Sequence, residues 1–248
     1  CADDPNAASL VDQLHTRVLT YGQQQDADIQ GYDIELRGTR SRFRVRRRGV
    51  ADDFEVTLNM PGRHNALNAL AAIAVAGELG IADTAVARAL ANFQGVGRRC
   101  QVRGRTRIGN ALVTVIDDYG HHPRELAAMI RTARESWAGT RLVLAFQPHR
   151  YSRTRDLFED FAEVLSGVDV LLLLDIYSAG EKPLPGADAR ALCRSIRARG
   201  AVDPVFVSGP DKLPEALAGV VKDDDLVMLL GAGSIGRVAE RLHYEADA

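Results

Sequence analysis

Residues 111–126 read ALVTVIDDYGHHPREL, and a change of pattern inside this stretch decides the fold. Ala111–Ile116 is an apolar, β-branched run of strand length. Pro123 then presets the φ angle of a first helical turn, and Leu126, Met129, Ile130, Ala133 and Trp137 follow at helical spacing. A strand therefore passes into a helix through Asp117–His122. Two carboxylates, a phenol and two imidazoles crowd that turn, and on this stretch alone metal ligation, acid/base chemistry and ligand recognition all stay open.

The same alternation continues outward. RLVLAFQ (141–147), VDVLLLLDIY (168–177), DPVFVSG (203–209) and DLVMLLG (225–231) read as buried strands, and helices are expected to start near Pro123, Arg153, Ala187, Leu213 and Ser234. Repeated strand–helix order predicts an α/β fold with a Rossmann-like, mostly parallel sheet and helices on both faces over residues 102–248. Residues 1–101 have a different texture. A helical stretch near Ala7–Thr16 precedes ADIQGYDIELRG, SRFRVRRRG and DFEVTLNM, which alternate as antiparallel strands with basic side chains on a solvated face. PGRHNALNALAAIAVAGELG (61–80) is an alanine-rich helix closed by Gly80, and a shorter helix runs from Asp83, a candidate N-cap, to about Asn92. This part reads as a mixed α/β domain, with the boundary inside the Gly/Arg-rich QGVGRRCQVRGRTRIGN (94–110).

The bulk numbers narrow the function classes. A formal net charge of −2 in 248 residues gives no whole-chain case for nucleic acid or an anionic membrane, and no apolar run approaches the ~20 residues of a spanning helix. Cys1, Cys100 and Cys193 lack Cys-x-x-Cys spacing, which argues against a disulfide framework or structural zinc and fits a reducing cytoplasm. The opening CADDPNAASL carries no initiator Met, so a fragment of a longer chain is expected. Nothing in the composition sets an oligomeric state.

Ligands of open parallel sheets collect outside the strand carboxyl ends, where helix N-termini present free amides. The strand at 141–147 ends in PHRYSRTRDLF, which puts His149, Arg150 and Arg153 on a second polar turn, expected on a neighbouring strand and facing the same cleft. His122 has the simpler reading of a helix cap and Asp117 that of a turn residue. Two rivals stand beside ligand recognition. Asp117, Asp118, His121 and His122 together suit a metal-dependent phosphoesterase. GAGSIG (231–236) matches a dinucleotide-binding fingerprint, but only twelve residues follow it, where that fingerprint belongs in a first βαβ unit. Its glycines are expected instead to let the last helix pack closely on its strand.

Five segments in order, GRHNALNALAA (62–72), GVGRRCQVRG (95–104), DDYGHHPRE (117–125), FQPHRYSRTRDLF (146–158) and IYSAGEKPLPGADAR (176–190), resemble the central and C-terminal parts of the Mur ligases. The resemblance covers essentially the whole chain, and the last three segments look like the member of the family that adds L-alanine. It implies a bacterial, cytoplasmic enzyme of peptidoglycan precursor synthesis. ATP would phosphorylate the carboxylate of UDP-N-acetylmuramate, and the amine of L-alanine would displace the phosphate. It also implies a rear part of the ATP-binding domain at 1–101 and the closing C-terminal domain at 102–248. No G-x-x-x-x-G-K-[ST] occurs here, so the P-loop and the ligands of Mg2+ are expected upstream, none of the latter within this chain, and the chain alone is expected to be inactive.

Carried over by motif, the resemblance assigns His64, Asn65 and Asn68 to adenine, Arg99 to the terminal phosphates of ATP and Asp118 to the ribose hydroxyls. Tyr119, His121, His149, Arg150 and Arg153 would line the amino acid pocket, with His121 and Arg99 closest to the chemistry. Cys100 and Gln101 depart from the aromatic and acid usual after the arginine.

Overall fold

The computed structural model describes residues 1–244 and divides into two compact units, Cys1–Gly95 and Val96–Ala248. In the first, helix α1 (Pro5–Ala8) is capped by Asp4, whose Oδ1 accepts the amides of Asn6 and Ala7. The longer helix expected over Ala7–Thr16 gives way to a single 3-10 turn at Val11–Gln13. Leu10 and Leu14 are about half exposed there, so no apolar stripe rewards continuation.

Strands β1 (Tyr21–Gly22), β2 (Ile29–Arg37), β3 (Arg40–Arg47) and β4 (Phe54–Leu58) form a sheet in that order, parallel between β1 and β2 and antiparallel beyond. On β3 the alternation is strict, with Ser41, Phe43 and Val45 buried and Arg40, Arg42, Arg44 and Arg46 exposed. Helix α2 (Arg63–Glu78) lays Ala66, Ala69, Leu70, Ile73 and Ala74 on that apolar face, and Gly31 of β2 makes room for it. A Cβ at Gly31 would stand 2.7 Å from Leu70 Cδ1. Gly80, at φ +69°, ends the helix, with the Ile81 amide donating back to the Ala76 carbonyl. Helix α3 (Asp83–Asn92) follows, with Ala82 at its N-cap and Asp83 one position inside, so the expected aspartate cap is replaced by a first-turn carboxylate near the positive end of the helix.

The second unit is a six-stranded sheet among the described residues, ordered β5-β6-β10-β7-β8-β9. Its elements are β5 (Gln101–Ile108), β6 (Ala111–Asp118), α4 (Pro123–Ser136), β7 (Leu142–Phe146), α5 (Tyr151–Asp156), α6 (Phe158–Leu165), β8 (Val170–Leu174), α7 (Ala189–Arg199), β9 (Val205–Val207), α8 (Leu213–Ala218), β10 (Leu226–Leu230) and α9 (Gly236–Arg241). Only β5 runs antiparallel. One apolar cluster covers each face of the sheet: Leu126, Met129, Phe146, Phe161 and Leu192 lie in one, and Val113, Val143, Leu213, Leu217 and Val238 in the other. A fully buried side chain such as Phe146 contributes roughly 1.5–3 kcal/mol.

Two features differ from expectation. β6 and β7 are not neighbours, because β10 lies between them, pairing Leu230 with Asp118 on one side and with Phe146 on the other. All five residues of β10 are buried, as a strand covered on both faces requires. β5 occupies part of the stretch in which the boundary was expected, and the two units divide within that stretch but earlier, after Gly95 rather than after Gln101. The reason is local: the Tyr119 amide donates to the Arg98 carbonyl, and the Cys100 amide donates to Asp118, which ties 98–101 to the end of β6.

Candidate active site

The carboxyl ends of β6, β10, β7 and β8 gather the polar turns of the second unit. Asp118, only 5% exposed, ends β6, and its Oδ2 accepts the Cys100 amide at 2.7 Å while Oδ1 accepts the Gly120 amide at 2.6 Å. Position 120 must be glycine for this closeness, since a Cβ would lie 2.7 Å from Asp118 Oδ1. His122 does cap α4, its Nδ1 accepting the Arg124 amide at 3.2 Å. Glu125 reaches back in a capping box, taking the amides of His121 (2.8 Å) and His122 (3.0 Å). Burial alone would raise the Glu125 carboxyl, but those two amides and the charges of His121 and Arg99 outweigh it and hold it below the usual glutamate range.

His121 Nδ1 lies 3.0 Å from the Tyr119 carbonyl, so in the neutral ring Nδ1 carries the hydrogen and Nε2 keeps its lone pair. Across β10, His149 stands after β7. Arg153 Nη1 donates to its carbonyl at 3.2 Å and lies 3.4 Å from its Nδ1, the opposite tautomeric arrangement, with hydrogen on Nε2. Burial first, then the neighbouring charges of His121, Arg153 and Arg150, push the His149 imidazole below its ordinary value. Arg150 sits at φ +73°, a conformation uncommon for a side chain of its size, fixed by its amide donating to the Tyr177 carbonyl at 2.8 Å.

A file of rings joins the two turns. Tyr119 meets His121 edge-on, His121 meets His149 at a tilt, and His149 stacks on Tyr177 at 19°, each with centroids 5.5 Å apart. The guanidinium of Arg99 lies 5.6 Å from the Tyr119 ring centroid. The expected cleft thus brings Arg99, Asp118, Tyr119, His121, His149, Arg150 and Arg153 to one end of one sheet. His64, Asn65 and Asn68 lie in the first unit, at the start of α2, where buried Asn65 donates to the Pro61 carbonyl at 2.7 Å and Asn68 donates to Asn65 Oδ1 at 3.5 Å.

Asp117 is not the turn residue expected. It lies within β6, one residue before its end, fully buried, and Arg98 Nε donates to its Oδ1 at 3.2 Å. Burial pushes its carboxyl above the usual range although Arg98 draws it down. The rival metal cluster loses its ligands to these duties: Asp117 faces Arg98, Asp118 holds two amides and His122 caps α4. No group of three His, Cys, Asp or Glu among the described residues is placed to hold a metal. The GAGSIG glycines also serve a different purpose from helix packing on a strand. Cβ atoms at Gly231 and Gly233 would fall 2.7 Å from the Gln147 carbonyl and 2.6 Å from Gln147 Oε1, the latter also 2.7 Å from the Tyr177 ring.

Sequence reasoning passed over Arg98, Gln147, Tyr177 and Glu181. Gln147 Oε1 accepts the Ile235 amide at 2.9 Å, anchoring the glycine turn to the end of β7. Glu181 accepts the Ser152 hydroxyl (2.6 Å) and amide (3.0 Å), which hold it below the usual glutamate range and give α5 the N-terminal anion its own cap position lacks. All four lay within quoted segments, but as neighbours of more reactive residues.

An open, mostly parallel sheet thus gathers cationic and imidazole side chains at its strand carboxyl ends, the place where α/β domains hold their ligands. Residues 98–233 match the family described as Mur ligase, glutamate ligase domain, and residues 1–76 match the Mur ligase middle domain. The chain belongs to the Mur ligase family. It is 53% identical over 242 residues to the UDP-N-acetylmuramate--L-alanine ligase of Methylococcus capsulatus, covering 98% of this chain and 51% of that protein. The crystal structure of UDP-N-acetylmuramate-alanine ligase from Thermotoga maritima superposes with a TM-score of 0.76 at 27% identity, covering 97% of this chain and 49% of that one. The MurF ligase of Thermotoga maritima in complex with ADP shares the fold, with a TM-score of 0.69, 21% identity and coverage of 96% and 51%. The chain spans about half the length of the curated relatives it matches.

Proposed function

We propose that this chain forms part of an ATP-dependent ligase that joins L-alanine to the lactyl carboxylate of UDP-N-acetylmuramate in peptidoglycan precursor synthesis, in the bacterial cytoplasm. The observation that carries the reading is the convergence of Arg99, Tyr119, His121, His149, Arg150 and Arg153 on one end of the sheet, in a chain 53% identical to a relative of that name.

In this reading ATP converts the carboxylate to an acyl phosphate, the alanine amine attacks the acyl carbon, and phosphate leaves with its bonding electrons. Arg153 anchors the alanine carboxylate, because a guanidinium has five donors and only Nη1 is engaged on His149. Arg150 supports it. The ring file of Tyr119, His121 and His149 bounds the side-chain pocket in this reading. His121 Nε2, unprotonated in the tautomer that Tyr119 selects, accepts a hydrogen from the amine and turns its lone pair to the acyl carbon. Arg99, held over a neutral ring, offsets charge developing on the transferred phosphate. Asp118 takes the ribose hydroxyls, its carboxylate held in place at the end of β6 by the amides of Cys100 and Gly120. His64, Asn65 and Asn68 read adenine with amide donors and acceptors.

Mg2+ would balance the phosphate charges, and no step here is routed through it. Lacking a G-x-x-x-x-G-K-[ST], these 248 residues alone are proposed not to turn over. The test is phosphate release by the complete protein with ATP, UDP-N-acetylmuramate and each of L-alanine, L-serine and glycine. Highest kcat/KM with L-alanine is expected; no release with any amino acid would refute the reading.

A further inference from the structure

Arg98 and the glycine-rich segment 231–236 have no part in the reaction just described, and they meet. Arg98 Nε donates to Asp117 Oδ1 at 3.2 Å, its Nη2 donates to the Gly231 carbonyl at 2.5 Å, and its guanidinium carbon lies 5.3 Å from the centroid of the Tyr119 ring. One side chain thus bridges the carboxyl ends of β6 and β10 and backs the ring that begins the aromatic file. Its main chain is fixed as well: the carbonyl accepts the Tyr119 amide at 2.8 Å and the amide donates to Gln101 Oε1 at 3.0 Å. Arg98 and Cys100 both adopt left-handed φ, +57° and +46°, which persists in non-glycine residues only where the surroundings over-determine it. Arg99 lies between them. From the other side, a Cβ on Gly236 would stand 2.5 Å from Arg98 Cζ, so the absence of a side chain there leaves the guanidinium its place.

We infer that Arg98, held by Asp117, is a positioning residue that sets Arg99 and Tyr119 in the site without itself touching substrate. The inference rests on the ligase reading for its kinetic consequences and on geometry alone for its structural ones. Asp117 Oδ2 is buried with no hydrogen-bond partner among the described residues, so Arg98 is the main compensation for that carboxylate. Removing Arg98 alone leaves a buried charge unmatched. Removing both members in favour of apolar side chains lifts that penalty without restoring the ties to Gly231 and Tyr119.

This separation gives the test, made in the complete enzyme. Arg98→Met is expected to lower Tm and kcat/KM together. Arg98→Met/Asp117→Leu is expected to regain the parental Tm while kcat/KM for both ATP and L-alanine stays down by about tenfold. In hydrogen-exchange mass spectrometry of the double variant, peptides covering 96–101 and 117–122 should exchange faster, with the rest of the sheet at parental rates. Gly236→Ala, which crowds Arg98 without changing either member of the pair, should reproduce the kinetic loss and keeps the question answerable if the double variant does not fold. Parental kinetics and exchange in either variant would overturn the positioning role. A parental enzyme that forms no amide would refute the ligase reading instead, and the exchange data would then decide the positioning claim by themselves.

Discussion

Two groups of arginines in this chain look alike in sequence and differ in what they meet. On β3, Arg42 faces Glu55 at 2.5 Å, Arg46 faces Asp53 at 3.0 Å, and Arg44 covers Tyr32. Beyond β7, Arg153 donates to a carbonyl and an imidazole, and beside β6, Arg99 rests on a phenol ring. Carboxylates neutralise Arg42 and Arg46 in the first group. Neutral rings and carbonyls orient the second without cancelling its charge, so its positive potential remains available to an anion. Basic residues are therefore informative by their partners rather than by their density: β3 carries the denser run, and the strand ends carry the candidate site.

The distinction breaks if both groups respond alike to mutation. In the complete enzyme, Arg153→Met is expected to lower kcat/KM for L-alanine about a hundredfold, as loss of a charge-assisted contact worth ~2–5 kcal/mol would. Steady-state kinetics measure it, and Tm should move little. Asp118→Ala should raise KM for ATP about tenfold and cost ~1–3 kcal/mol of stability, because the amides of Cys100 and Gly120 lose their acceptor. An unchanged KM for ATP would remove Asp118 from the nucleotide site.

A smaller effect concerns pH. The folded state holds His149 below its ordinary value of 6.5, so as pH falls the unfolded chain takes up the proton first and stability falls with it. Full stability from this residue is expected above pH 6.5, with loss below, and His149→Phe should flatten that part of the profile in urea titrations at pH 7.5 and 5.5. A slope unaltered by the substitution would assign the acid sensitivity elsewhere. The smallest effect belongs to β3: Arg42→Ala should change neither kinetics nor Tm measurably, as exposed ion pairs contribute little. If it proved as damaging as Arg153→Met, the comparison would fail.

Local pattern made some of this legible and not the rest. The strand–turn–helix at 111–126 announces itself because Pro123 and the 3.6-residue apolar spacing act within a few residues, and the His122 cap follows from the same local chemistry. β5 was hidden because its arginines and glycines marked the stretch as a domain boundary; what makes it a strand is its antiparallel pairing with β6. The place of β10 was hidden for a similar reason, since an apolar run states that a strand is buried but not between which neighbours. Asp118, Tyr119 and His149 stand out by residue type. Arg98 does not, because its direction depends on a left-handed φ and on a glycine far along the chain.

The central position of β10 also sets a schedule. β6 and β7 pair with β10 and not with each other, and strands two places apart lie about 10 Å from one another. During synthesis the ribosome makes β6 and β7 long before β10, so the gap between them stays open until Leu226–Leu230 has emerged and inserted. The ring contact between His121 and His149 spans that gap. Both walls of the candidate site therefore precede in the chain the strand that joins them, and their meeting depends on it.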